Sequence, residues 1–304
     1  LVETAAGAIR RWTTVGYQVM ILVFGKTGQV ANELQRLSGV TALGREDVDL
    51  SDPAACAVAI REHAPKAVIN AAAYTAVDRA EEEEHLATVI NGDAPAAMAK
   101  ACAELGIPLV HISTDYVFNG TGNTPYRPDD ATEPQNAYGR SKLAGEQGIR
   151  NSRAVYAILR TSWVVSAHGT NFVKTMLRVG KEQETLNVVD DQFGAPTFSG
   201  DIAEAILSIT KQVLRQKDAD FWGTYHYTAI GHATWKDFAE EIFEKKANWV
   251  SKNPSIIGIP SSEYPTPAKR PLNSLLNCSK IDSVFSPPRR DWQLGLAEVL
   301  NQIT

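Results

Sequence analysis

Four short, almost unbroken apolar runs set the rhythm of the first half of the chain: VMILVFG (19–25), AVINAAA (67–73), PLVHIST (108–114) and AVYAILRTSW (154–163), each separated from the next by stretches with helical spacing. A strand with one wet face alternates apolar and polar residues, whereas a strand covered on both faces is apolar nearly throughout. Parallel neighbours cannot be joined by a tight turn; they need a crossover of a dozen residues or more, which the intervening helical stretches supply. The pattern therefore predicts an α/β fold, a doubly wound parallel sheet with helices on both faces.

After about residue 165 the rhythm loosens. LNVVDDQFGAPTF (186–198) and TPAKRPLNSLLN (266–277) mix strand-like pieces with turns, while helical patterns persist near 198–215, 233–246 and 291–303. Prolines at 254, 260, 265, 267 and 271, and again at 287 and 288, mark irregular connections. The expected division is a Rossmann-like domain over 20–164 and a smaller mixed α/β substrate domain over 165–304, allowing for segments that return to the first. Residues 1–19 precede an internal methionine, Met20, and read as an extension outside the core.

Composition excludes several roles. A net charge of −5 is wrong for wholesale nucleic-acid binding, and no apolar run approaches the roughly 20 residues that a bilayer requires. Three cysteines, odd in number and without metal-ligand spacing, fit a reducing compartment, so a cytoplasmic protein is expected.

The first apolar run leads into GKTGQVANEL. Gly25 permits a tight turn, Gly28 permits close approach of backbone to a pyrophosphate, and the N–H groups at the start of the following helix favour an anion. The spacing is GxxGxxA, with Ala31 at the third small position. After the second strand comes LGREDVDLSD, where Arg45 is placed to face an adenosine 2′-phosphate and Asp49 with Leu50 to meet the adenine. A cation there predicts NADPH as the preferred cofactor, with NADH as the alternative.

The stretch NAYGRSKLAGE (136–146) puts Tyr138 and Lys142 four residues apart, hence on one face of a helix. That spacing is common. It gains meaning from the run before it, which ends at Thr114, because the carboxyl ends of parallel strands are where such sheets gather ligands. A phenol is a reluctant acid, and a neighbouring cation lowers its pKa. The expected roles are therefore Thr114 as hydrogen-bond donor to a carbonyl oxygen, Tyr138 as proton donor, and Lys142 as the cation that tunes Tyr138 and holds the nicotinamide ribose.

Together GKTGQVANEL, NAAAYTAVDRAE, STDYVFNG, YGRSK, RTSWV, DDQFGAPTF, YPTPAKRPLNSLLN and DWQLGLAEVL resemble the extended short-chain dehydrogenase/reductase family, and within it the reductases of dTDP-L-rhamnose synthesis. The likeness runs from Met20 almost to the end. It implies NADPH-dependent reduction of the 4-keto group of dTDP-6-deoxy-L-lyxo-4-hexulose, feeding cell-wall or O-antigen polysaccharide, with Thr114, Tyr138 and Lys142 at the catalytic positions. It also implies cofactor contacts from Gly25, Lys26, Thr27, Gly28, Gln29 and Val30, from Arg45, Asp49 and Leu50, and from Ala71, Ala72, Ala73 and Thr75. Val77, Thr114, Tyr116 and Trp163 fall where the sugar is expected, with Trp163 as either a stacking platform or a core tryptophan and Arg270 as either a diphosphate contact or a partner of backbone carbonyls. The dTDP-sugar is the only partner expected of a monomer or homodimer. Some members are described as dimers with an interfacial magnesium held by glutamates; Glu33 matches one such position, the others find no match, and no metal is predicted.

Three other readings stand beside this one. A dehydratase would carry an Asp-Glu pair after the threonine, where this chain has Asp115 and Tyr116. An NDP-sugar epimerase shares the tyrosine and lysine but retains its nicotinamide. A non-catalytic NADP-binding regulatory subunit, like that of methionine adenosyltransferase, does not need the three catalytic positions intact. RAEEEEH (79–85) reads as a solvated helix start, and His111, in an apolar strand, as a hydrogen-bonded core residue.

Overall fold

The computed structural model describes residues 20–215, 222–246 and 253–303, so the expected extension over 1–19 lies outside the described residues. In chain order the elements are β1 (Ile21–Phe24), α1 (Gln29–Leu37), β2 (Thr41–Leu43), α2 (Pro53–His63), β3 (Ala67–Asn70), α3 (Glu84–Thr88), α4 (Ala94–Leu105), β4 (Leu109–Thr114), α5 (Ala137–Asn151), β5 (Tyr156–Thr161), β6 (Val164–Val165) and α6 (Phe172–Val179). They continue with β7 (Thr185–Val189), β8 (Phe193–Gly194), β9 (Thr197–Phe198), α7 (Ser199–Arg215), β10 (Gly223–His226), β11 (Ala233–Thr234), α8 (Trp235–Lys245), β12 (Ser255–Ile259), α9 (Ser279–Val284) and α10 (Trp292–Gln302).

The main sheet has six strands in the order β10-β5-β4-β3-β1-β2, and every pairing in it is parallel. Alternate residues of one strand serve opposite cores. Ile21 and Val23 of β1 pack with Val30 and Leu34 of α1 and with Ile202, Ile206 and Ile209 of α7, whereas Leu22 and Phe24 pack with Ile60 of α2 and with Met98 and Cys102 of α4. Both faces are dry, which is why these strands read as continuous apolar runs.

The strand order reverses between β1 and β3, and in such sheets the crevice at the carboxyl ends on either side of the reversal is where a ligand fits. Gly25, immediately after β1, has φ +112°, and a Cβ there would sit 3.2 Å from the backbone of Ala71 and Ala72 after β3. Only glycine meets both demands at low cost. The crevice can therefore open right beside the backbone.

The later residues form three two-stranded ladders, β6 with β9, β7 with β12 and β8 with β11. Phe238 and Ile242 of α8, Val173 and Leu177 of α6, and Leu296 and Val299 of α10 make a separate core between them. Three later elements belong to the larger body instead: α7 packs on α1, β10 extends the main sheet beyond β5, and Ile281 of α9 joins the core under it. Among the described residues no helix is long and apolar enough to cross a membrane.

Candidate active site

A cleft of about 1040 Å³ runs along the carboxyl ends of the main sheet and under the smaller region. Its lining includes every catalytic, cofactor and sugar position expected from the sequence: the turn from Gly25 to Val30, Arg45, Asp49 and Leu50 after β2, Ala71, Ala72, Ala73, Thr75 and Val77 after β3, Thr114 and Tyr116 after β4, Tyr138 and Lys142 of α5, then Trp163 and Arg270. Residues more than 240 positions apart in the chain thus share one surface.

At one end the first turn of α1 opens onto the cleft. Its N-cap is Gly28, which brings no side chain to the helix N–H groups, leaving them to an anion. Lys26 donates to Glu46 at 2.9 Å and lies 3.5 Å from Asp47, which raises its pKa, with the Glu46 hydrogen bond the largest cause. Arg45 is exposed at the rim, where its Nε meets the Asp49 carboxylate at 3.1 Å. Asp49 also accepts from the Ser51 amide, so in this structure its carboxylate serves its own loop.

In the middle, Thr114 ends β4, and its hydroxyl donates to Asp115 at 3.0 Å while accepting from the Tyr116 amide at 3.2 Å. Asn136 caps α5 by accepting from the Gly139 amide, which starts the helix one residue before Tyr138. Lys142 is buried, with Nζ donating to the Ile112 carbonyl at 2.7 Å and 3.4 Å from His111 Nε2. Burial lowers its pKa to about 8, against the pull of Glu146 one turn on. The Asp115 carboxyl, buried and taking the Ser274 hydroxyl at 2.5 Å, is pushed up to about 6 by desolvation.

The phenol of Tyr138 departs from the sequence-based expectation. Burial, then the Asp115 carboxylate, push its pKa above the ordinary tyrosine value, and a hydrogen bond with Thr114 only partly offsets them. Lys142 does not lower it in the resting protein. The reason is physical: Lys142 is buried with its ammonium already spent on the Ile112 carbonyl, while the partly buried Tyr138 faces the Asp115 carboxylate.

The far end is aromatic. Trp163 stacks on Trp235 with ring centroids 3.5 Å apart and 9° between planes, and Phe172 leans on Trp235. A Cβ at Gly194 would lie 2.3 Å from Trp163 Cε2 and 2.6 Å from Cδ2, so backbone covers the second face of that indole. The Trp163 indole is thus packed against Trp235 and Gly194, as the core reading expects, while the residue also lines the cleft. Of the two readings of Arg270, the bond to backbone carbonyls is replaced by a bond to Asp78 at 2.6 Å, while its second terminal nitrogen is buried without a partner.

RAEEEEH is more than a solvated start. Glu81 accepts from the Ala137 amide at the head of α5, Glu83 takes the Tyr74 hydroxyl and Arg79, and Glu84 pairs with Arg140. Glu81 and Glu84 thereby tie the Tyr138 helix in place. Glu33 is fully buried, with Oε2 on Arg36 at 2.8 Å and Oε1 3.4 Å from His168 Nε2. Among the described residues no group of three or more histidine, cysteine or carboxylate side chains gathers around a metal-sized space.

The profile of the RmlD substrate binding domain matches residues 19–304. The dTDP-4-dehydrorhamnose reductase of Escherichia coli K12 is 44% identical over 93% of this chain and 97% of its own length. The chain belongs to this family. The solved dTDP-4-dehydrorhamnose reductase of Bacillus anthracis, in complex with NADP, superposes with a TM-score of 0.86 at 32% identity, covering 94% of this chain and 100% of that one. The ortholog from Clostridium acetobutylicum gives 0.85 at 36% identity, covering 93% and 98%.

Sequence reasoning passed over several residues of the cleft. Trp235, the first residue of α8, sits behind the capping box of Thr234 and Asp237, a signal that marks a helix start but not what it faces. Asp115 was visible only as a position differing from dehydratases. Outside the lining of the cleft, Asn70 faces His111 across the β3–β4 register, a pairing that no local pattern reveals.

Proposed function

We propose that the chain reduces the 4-keto group of dTDP-6-deoxy-L-lyxo-4-hexulose to give dTDP-L-rhamnose, with NADPH as hydride donor. One observation carries the reading: Thr114, Tyr138 and Lys142 line the same cleft as the glycine turn and the capless helix N-terminus. The names of the relatives point to the same substrate. The residues fit the cofactor, because Gly25 and Gly28 let a pyrophosphate approach the backbone, and Arg45 lies at the exposed rim where a 2′-phosphate needs a cation. When bound, reduced nicotinamide supplies the hydride.

The rest falls to the chain's own side chains. Thr114 turns its hydroxyl from Asp115 to the keto oxygen and Tyr138 gives that oxygen its proton as the carbon takes up hydride; Lys142 then faces the phenolate. Because burial raises the phenol's pKa, Tyr138 stays protonated and available across the neutral range. Asp115 and Tyr116 replace the Asp-Glu pair that eliminates water, so reduction is favoured over dehydration. Arg270, with one buried nitrogen unpaired, is the candidate contact for the substrate's diphosphate.

The test is direct: incubate the protein with NADPH and dTDP-6-deoxy-L-lyxo-4-hexulose, follow loss of NADPH absorbance, and identify the nucleotide sugar by mass spectrometry. Stoichiometric dTDP-rhamnose is expected. Binding of NADPH with no turnover would turn the reading toward the non-catalytic regulatory subunit, and tightly retained NAD toward the epimerase.

A further inference from the structure

His111 is the buried histidine beneath the site, and its two ring nitrogens have different neighbours. Nδ1 lies 3.1 Å from Asn70 Nδ2 and Nε2 lies 3.4 Å from Lys142 Nζ. The orientation of the Asn70 amide is settled on its other side, where Oδ1 accepts from the Ala72 amide at 3.1 Å. Turning the amide over would set its NH₂ against the Ala72 N–H, donor against donor. Nδ2 therefore faces His111 and donates, so Nδ1 must accept. In a neutral imidazole the proton then sits on Nε2, the nitrogen that faces the lysine. Burial and the neighbouring lysine both keep the ring neutral.

Lys142 meets two unlike groups. The Ile112 carbonyl accepts from it at 2.7 Å, and the His111 N–H points at it from 3.4 Å. An ammonium has only donors, so that second contact is donor against donor and stays long. A neutral amine has a lone pair and turns the same contact into a hydrogen bond. We propose that Asn70 and His111 act as positioning residues that lock one imidazole tautomer and thereby weaken the hold of Lys142 on its proton. The inference deepens the reading of Lys142 as the cation beside Tyr138 and rests on it for its role in the reaction.

The other groups around Lys142 leave this contact as the adjustable one. Glu146, one turn along α5, favours the ammonium but is itself held by Arg160 of β5 and Arg150. Glu84 of α3 is occupied by Arg140 on the exposed side. Tyr138 is pushed above the ordinary tyrosine value and Asp115 of the turn after β4 up to about 6, so they titrate on either side of Lys142. Loss of the ammonium then marks the alkaline limit of activity, with the rate falling as pH rises through it.

The tautomer can be reversed. In Asn70→Asp the carboxylate still accepts from Ala72 and now accepts from Nδ1–H as well, which frees Nε2 to accept from the ammonium. In His111→Gln the amide oxygen can face Lys142 without adding charge. The experiment is NMR on the full chain labelled with ¹⁵N-histidine and ¹³Cε-lysine, with circular dichroism to confirm folding. Expected are Nε2–H in the wild type, Nδ1–H in Asn70→Asp, and in both variants a Lys142 titration moved up by about one pH unit or more. Nδ1–H in the wild type, or an unmoved Lys142 titration in both folded variants, would overturn the proposal. Both readouts use resting protein, so absence of sugar reduction would count against the proposed reaction alone.

Discussion

Replacing Glu146 by glutamine alters almost no volume and removes one charge from beneath the site. The two carboxylate oxygens accept from Arg160 Nε at 2.8 Å, a terminal nitrogen of Arg160 at 2.7 Å, Arg150 at 2.7 Å and Ser113 at 2.6 Å. Glutamine offers one oxygen and one NH₂. Its better orientation keeps the oxygen toward the two terminal guanidinium nitrogens and gives the NH₂ to Ser113, whose hydroxyl can turn to accept. Arg160 Nε then loses its acceptor, and the guanidinium, 1% exposed, loses its counter-charge. Stranding a buried charge in this way costs about 3–5 kcal/mol. Urea unfolding should show that loss, and adding Arg160→Met should recover part of it, with a coupling of about 1–3 kcal/mol. The pH dependence has a definite sign. Burial alone would raise the Glu146 pKa, but Arg160, Ser113 and Arg150 together hold it below the ordinary value, so its contribution is complete above the unfolded-state pKa and is lost as pH falls through the folded one. The gap between wild type and variant should therefore close in acid. A loss under about 1 kcal/mol at neutral pH, or strictly additive losses in the double variant, would refute the account.

Three further outcomes are expected. Tyr138→Phe should lower kcat by roughly 10²–10⁴ with NADPH affinity unchanged by equilibrium titration; near-normal turnover would remove Tyr138 from its role. Arg45→Ala should weaken NADPH more than NADH by about tenfold or more in parallel titrations, and equal losses would exclude the 2′-phosphate contact. Gly145→Ala should place a Cβ 2.1 Å from the Asn91 carbonyl oxygen, where α5 meets a π turn over Val89–Asp93. The strain should cost about 1–3 kcal/mol in unfolding and, by displacing the helix that carries Lys142, slow turnover by about 10²-fold; unchanged stability and rate would contradict the tight contact.

The strands β1, β3, β4 and β5 were legible because each must be dry on both faces, and PLVHIST and AVINAAA say so within a window of seven residues, whereas the half-exposed β2 and the polar GTYH of β10 carry no such run. Thr114 and the Tyr138 helix were legible for a related reason, since a strand end and a capped helix start leave local marks. Charges were harder. RAEEEEH reads as solvated until α5 is packed beside it, and the acidity of Tyr138 depends on Asp115 and on burial rather than on its helical neighbour. The two readings of Trp163 stayed undivided because nothing in RTSWV announces Trp235, 72 positions later, or the bare backbone at Gly194. His111 read correctly as a hydrogen-bonded core residue, but its partners lie on a neighbouring strand and a helix that only the fold assembles.

The return of the chain to its first sheet bears on how it can be made and cut. The strand beside β5 and the helix covering α1 are contributed by residues 223–226 and 199–215, after the chain has passed through β6 to β9. A fragment ended at 164 would present a bare strand edge and an uncovered greasy flank, both invitations to aggregation. Synthesis must run well into the later residues before the earlier ones can finish folding. Separate expression of a nucleotide-binding half should yield insoluble material, whereas a nick at an exposed loop of the finished molecule should leave its pieces together.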